Sequence, residues 1–101
     1  MRPSEILAAK ADEIREIIAR YPVRNPRIFG SAARGDDAEG SDLDLLVEFL
    51  PGRRVSLFTL GGMIMELRDL TGLAVDLRTV NDLSKYFRDK VLREAKLLYV
   101  A

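Results

Sequence analysis

Residues 27–49 decide the fold. They read Arg27-Ile28-Phe29-Gly30-Ser31-Ala32-Ala33-Arg34-Gly35, a polar link from Asp36 to Gly40, then Ser41-Asp42-Leu43-Asp44-Leu45-Leu46-Val47-Glu48-Phe49. The last run alternates. Leu43, Leu45, Val47 and Phe49 fall on one face, and Asp42, Asp44 and Glu48 on the other, which is the period of a half-buried strand. Pro51-Gly52 closes it. Ahead of it, Arg27-Ile28-Phe29 fits a short strand leading into Gly30-Ser31. Ala32-Ala33-Arg34 then fits a single helical turn stopped by Gly35.

Outward from this centre, helical spacing takes over. Leu7, Ala11, Ile14, Ile18 and Tyr21 recur at that spacing with Ile17 beside them, predicting one amphipathic helix from about Ser4 to Tyr21, ended by Pro22. Arg24-Asn25-Pro26 reads as a turn. On the C-terminal side, Ser56 is placed to cap a helix over Leu57–Thr71, with Gly72 at its C-terminal position. Leu57, Leu60, Ile64, Leu67 and Thr71 share its face. Gly61-Gly62 inside it either permits close packing or marks a kink, and with Met63 and Met65 offers either a contact surface or simple packing on the sheet. Leu73–Val80 predicts a strand, with Val75, Leu77 and Thr79 opposite Asp76 and Arg78. Asn81 or Asp82 opens a last helix with Leu83, Phe87, Val91 and Leu92 as its apolar side, and Lys96–Val100 ends as a frayed helix or short strand. Whether the strands run parallel or antiparallel is open at this level, as is the loop from Pro51 to Val55. Residues 1–101 are expected to form a single small domain.

Composition removes whole classes of chemistry. The chain has no cysteine and no histidine, so disulfides, thiolate zinc sites and the commonest general base are excluded. Catalysis would rest on carboxylates, hydroxyls, Lys, Arg, backbone amides or oxygen-bound hard cations. Lys+Arg and Asp+Glu both number 16, a balance that weighs against a nucleic-acid-binding surface. No signal peptide or membrane-length apolar run is visible, and a soluble cytoplasmic protein is expected.

The acidic residues then stand out by position. Asp42 and Asp44 share a strand face about 6.5–7 Å apart at the backbone, and such like charges repel unless a cation neutralises them. Mg²⁺, which typically takes one or two carboxylates plus phosphate oxygens, fits. Asp76 lies on the polar face of a second strand. If the two strands are neighbours, three carboxylates meet on one sheet face, a set suited to two metal ions about 3.5–4 Å apart that clamp an in-line phosphoryl displacement. Gly30 would let phosphate approach the backbone, the Ser31 hydroxyl would donate to it, and Arg34 could add charge-assisted hydrogen bonds. Arg34 is equally open to a partner contact or a structural ion pair. Glu48 fits a salt-bridged role better than a metal ligand, and Arg78 is placed to pair with Glu48 or another acid.

Gly30-Ser31-Ala32-Ala33-Arg34-Gly35 followed by Ser41-Asp42-Leu43-Asp44-Leu45-Leu46-Val47 resembles the nucleotidyltransferase signature of the DNA polymerase β superfamily. More narrowly it is similar to the minimal nucleotidyltransferases, in which Gly-Ser-x-Ala-Arg-Gly precedes Ser-Asp-x-Asp-Leu-x-Val. Asp76, in Val75-Asp76-Leu77, falls where the family's third carboxylate is expected. The resemblance implies a small α/β (α+β) fold, a mixed β-sheet with helices packed mainly on one face. It implies that Gly30 and Ser31 hold the triphosphate, and that Asp42 and Asp44 ligate Mg²⁺. Asp76 would help bind the catalytic metal and orient or deprotonate the acceptor. The implied reaction transfers AMP from ATP to a hydroxyl and releases pyrophosphate. The family's pairing with HEPN-domain proteins implies a HEPN ribonuclease toxin as partner and acceptor, with this chain as the antitoxin that modifies a tyrosine on it. A chain of 101 residues has no room for an acceptor-binding domain, so a partner or a second copy would supply the missing walls. Two other readings stand beside this one: an antitoxin that neutralises by occlusion alone, and a transferase acting on a small molecule or an RNA end.

Overall fold

The computed structural model describes residues 1–52 and 55–97. In chain order its elements are α1 (Pro3–Ala9), α2 (Ala11–Ala19), β1 (Val23–Phe29), α3 (Ser31–Arg34), β2 (Leu43–Phe49), α4 (Leu57–Thr71), β3 (Val75–Thr79), a 3-10 turn (Val80–Asp82), α5 (Lys85–Glu94) and β4 (Lys96–Leu97). The four strands form one sheet in the order β3-β2-β1-β4. β1 runs antiparallel to both β2 and β4, whereas β2 and β3 are parallel. A parallel pair needs a long crossover, and α4 supplies it. The sheet is therefore mixed, as expected.

The alternation in β2 holds for Leu43, Leu45 and Val47, whereas Phe49 at the strand's end is exposed. Leu43, Leu45 and Val47 are fully buried and meet Leu7, Ile14, Ile17 and Ile18 from the N-terminal helices and Met63 and Leu67 from α4. Each fully buried Leu or Ile contributes roughly 1.5–3 kcal/mol relative to exposure, so this layer holds α1, α2 and α4 on one face of the sheet. Leu46, on the opposite face, is also buried, with Arg27 and Arg78 as its register partners. α4 starts and stops where its sequence says. The Ser56 hydroxyl accepts from the Thr59 N–H at 3.1 Å, and Gly72, at φ 72°, donates its N–H to the Arg68 carbonyl at 2.7 Å. Gly61-Gly62 leaves the helix unbroken. A Cβ at Gly62 would stand 3.4 Å from the Tyr21 hydroxyl, which donates to Glu66. A Cβ at Gly61 would meet nothing within 4 Å. Met63 is core rather than contact surface, while Met65 stays exposed.

Three elements differ from the sequence reading. The single helix over Ser4–Tyr21 is two helices broken at Lys10, whose backbone turns to φ −118° and ψ 25°. There the Lys10 ammonium reaches across to donate to the Leu70 carbonyl in the last turn of α4 at 2.8 Å, where a helix end favours a cation. Arg24-Asn25-Pro26 is not a turn but part of β1. The register with β2 shifts between Arg24 and Arg27, and Asn25 takes φ 50°. A bulge spares the proline a ladder hydrogen bond that it cannot make. Finally, Asn81 or Asp82 does not open the last helix. Asp82 and Thr79 close a 3-10 turn on each other, the Asp82 carboxylate accepting from the Thr79 N–H at 3.0 Å. α5 then begins after Ser84, whose hydroxyl accepts from the Tyr86 N–H at 3.2 Å. None of its residues is buried, and Phe87 is 62% exposed. Its expected apolar side borders an open groove instead of a core. β4 accounts for Lys96 and Leu97 of the predicted C-terminal element. Leu98–Val100 lie outside the described residues, as do Arg53 and Arg54 of the Pro51–Val55 loop. Among the described residues, no helix is long and apolar enough to cross a membrane.

Candidate active site

Register brings Gly30, Asp44 and Asp76 together at one end of the sheet. Asp44 pairs with Phe29 on β1 and with Asp76 on β3, so both aspartates project from the face opposite the core. The residue after Phe29 is Gly30, with φ 71° and ψ −149°, a backbone region open essentially to glycine alone. Its second demand is space. A Cβ there would overlap Oδ2 of Asp44 and stand 3.2 Å from its Cγ. The glycine thus lets the Asp44 carboxylate lie against the β1–α3 turn. Ser31 starts α3, and its carbonyl accepts the N–H groups of Gly35 (2.9 Å) and Asp36 (3.1 Å), which rounds off the turn. Arg34 pairs with Asp36, two residues on, at 3.2 Å.

The loop to β2 is tethered by a residue that the sequence reading passed over. Asp37, grouped there with a polar link, is almost completely buried and accepts from the Ser4 N–H at 2.8 Å and the Ser4 hydroxyl at 3.0 Å. These bonds hold its carboxyl below the usual range. Ser41 accepts from the Ala38 N–H at 3.0 Å, leading the chain into Asp42, which is exposed just ahead of β2. The short Asp37-to-Ser4 link spans distant parts of the chain, and no local pattern announces it.

Electrostatically Asp44 is the focus. Burial pushes its carboxyl up, the negative charges of Asp76 and then Asp42 push it further, and Arg78 and Arg34 oppose them. Arg78 does pair with an acid, but that acid is Asp76, at 3.4 Å. Glu48, further along the strand, accepts from Arg27 at 2.8 Å and Asn25 at 3.2 Å and lies 3.8 Å from Arg24. These partners lower its pKa, and its role is the salt bridge expected.

Among the described residues, no group of three acidic side chains is drawn tightly enough to hold a metal ion by itself. Asp44 and Asp76 are side by side across the register, while Asp42 stands outward. The donor set nevertheless suits a hard divalent cation. It is all carboxylate oxygen, and its central member carries repulsion that a cation would relieve. Of the three expected ligands, the register sets Asp44 beside Asp76, and Asp42 is exposed just ahead of β2.

Comparison with known proteins bears on family and fold. The profile of the family described as "Nucleotidyltransferase domain" matches residues 11–98. The protein adenylyltransferase MntA of Thermococcus cleftensis is 40% identical over 91 residues, covering 88% of this chain and 85% of that one. A solved structure of an inferred minimal nucleotidyltransferase is 39% identical, with a TM-score of 0.79 over 92% of this chain and 93% of the other. The fold alone is also shared, at 15% identity and a TM-score of 0.68, with a structure of a tri-AMPylated Shewanella oneidensis HEPN toxin in complex with an MNT antitoxin. That match covers 94% of this chain and 73% of the other.

Proposed function

This chain belongs to the nucleotidyltransferase domain family, and from that premise we propose that it transfers AMP from ATP to a tyrosine hydroxyl of a HEPN-domain ribonuclease, acting as the antitoxin that silences it. The observation that carries this reading is the Asp44 carboxylate set against the bare Cα of Gly30, with Asp76 as its register partner across the parallel strands. The turn proposed to take phosphate then lies against one of two neighbouring acidic side chains. The adenylyltransferase named among the relatives supports AMP as the group transferred. The toxin–antitoxin complex sharing the fold supports a HEPN protein as acceptor.

In this reading Gly30 leaves the backbone open to the triphosphate, and the Ser31 hydroxyl donates to a phosphate oxygen. Asp42, Asp44 and Asp76 would hold Mg²⁺, which would neutralise phosphate charge and make the acceptor hydroxyl more acidic. Asp76 faces the acceptor and takes its proton, provided that Arg78 yields its ion pair. The hydroxyl oxygen bonds to the α-phosphorus, the bond from that phosphorus to the bridging oxygen breaks, and pyrophosphate leaves with the electron pair.

The test is direct. Purified chain, its HEPN partner, Mg²⁺ and ATP labelled at the α-phosphate should label the partner, and Asp42→Asn and Asp44→Asn should each abolish labelling. Variants that label at the wild-type rate would remove these residues from the site. Inactive variants that still rescue cells from the toxin would favour occlusion over catalysis.

A further inference from the structure

β3 is an outer strand of the sheet. β2 covers one of its sides, and no strand among the described residues covers the other. The Leu43 N–H donates to the Ala74 carbonyl at 2.8 Å, which sets the phase of the parallel ladder. Backbone groups alternate along a strand, so Ala74, Asp76 and Arg78 turn theirs toward β2, and Val75, Leu77 and Thr79 turn theirs outward. Asp82 takes the Thr79 N–H. Among the described residues nothing takes those of Val75 and Leu77. Open edges are ordinarily blunted by lysine, proline or a bulge. Val75–Thr79 contains neither residue, and its register with β2 is continuous.

We infer that this edge pairs with a second copy of the chain, antiparallel about a twofold axis at Leu77, so that one sheet runs through both copies. Charge selects both the occupant and the register. Asp76 and Arg78 share a strand face and are half-exposed. With Leu77 opposite Leu77, each Asp76 stands opposite Arg78 of the second copy, in the closer, non-hydrogen-bonded kind of pair. Sliding the copies by two residues would set Asp76 against Asp76 in one direction and Arg78 against Arg78 in the other. α4 agrees. Its Glu66 and Leu70 meet Tyr21 and Lys10 at the two ends of α2, and α2 also packs on β1. Leu57 lies about two and a half turns from Glu66, on the opposite flank of α4, toward the β3 edge, and is 87% exposed. Gly61 shares that flank. Glycine weakens a helix, yet no contact within the chain requires one there. The twofold axis turns the two flanks toward each other. The inference is independent of the transfer reading, although it brings a residue of a second copy beside Asp76.

Sedimentation equilibrium of the full-length chain, from micromolar to submillimolar concentration, should show a monomer–dimer equilibrium. Asp76→Arg and Arg78→Asp each create two like-charge pairs across the axis and should each weaken the dimer about tenfold. The double variant, with the charges exchanged, should restore it. Leu57→Glu should also weaken it. The chain has no cysteine, so the register can be read by oxidation. Leu77→Cys should form a disulfide-linked dimer. Val75→Cys, on the same face of the same strand but about 14 Å from its counterpart, should not. A chain that stays monomeric throughout overturns the inference and leaves the edge to a strand of another protein. A dimer that the single charge variants and Leu57→Glu leave intact overturns it too, as does one that cross-links equally through Val75→Cys and Leu77→Cys.

Discussion

Replacing Gly30 by alanine puts a methyl group where the Asp44 carboxylate now lies. Two penalties follow. At φ 71° and ψ −149° a residue with a Cβ is strained by about 1–3 kcal/mol. In a domain of this size each kcal/mol lowers the melting temperature by roughly 4–8 °C. The Cβ also overlaps Asp44 Oδ2, so the carboxylate must swing away from the turn. Misplacing a reacting group by about 1 Å can cost roughly 100-fold in rate. Gly35 supplies the control. It too has positive φ, 82°, but a Cβ there meets nothing within 4 Å, so Gly35→Ala carries strain of about 1–2 kcal/mol without a clash. Thermal unfolding by circular dichroism and partner labelling should be read for both variants below their melting temperatures. Both should melt lower, and only Gly30→Ala should lose labelling by about two orders of magnitude. Equal labelling by the two variants would refute the idea that close approach of Asp44 to Gly30 matters to the chemistry.

Asp44 also makes a prediction about pH. Its folded pKa is raised above the unfolded value near 3.8, so its ionisation destabilises the fold: stability falls as pH rises from the unfolded value through the folded one and then levels off. Asp44→Asn should therefore raise the urea midpoint at pH 7 without Mg²⁺, and the gain should vanish below the unfolded pKa; a lower midpoint at pH 7 would contradict the repulsion. Mg²⁺ with ATP should raise the wild-type melting temperature, by linkage of about 2.7 kcal/mol at a ligand excess of roughly 100-fold over Kd, and should leave Asp44→Asn unmoved in a thermal-shift assay. Ser56→Ala removes the cap of α4, far from the site, and should cost about 1 kcal/mol in denaturant titration with labelling intact. Asp37 works in the opposite sense from Asp44. Its lowered pKa gives stability that is present above the unfolded pKa and lost as pH falls through the folded value, and Ser4→Ala should shrink that acid-side loss.

What was legible in the chain was local. The alternation of Leu43, Leu45 and Val47 and the caps at Ser56 and Gly72 depend on neighbours a few residues apart, and the family and fold followed from these together with the order Gly30, Asp42, Asp44, Asp76. The contact made by Lys10 at the break could not be read, because its partner is a carbonyl sixty residues away. Pro26 looked like a turn because a bulge uses the same residue types, and only the pairing with β2 tells them apart. The Leu83, Phe87, Val91 and Leu92 stripe looked like a core face because helical spacing shows that residues align, not that anything covers them. Arg78 was seen to need an acid, but choosing Asp76 over Glu48 required coordinates.

The pairing of Asp44 with Asp76 across parallel strands has a consequence for how this small enzyme fails. Strand side chains alternate, so sliding β3 by a single residue would turn Asp76 toward the helices and Val75 and Leu77 toward water. The same alternation that seats the greasy side also aims the acid. A mispaired β3 is then both insoluble in its own core and chemically mute, so catalytic output doubles as a certificate of correct strand registry.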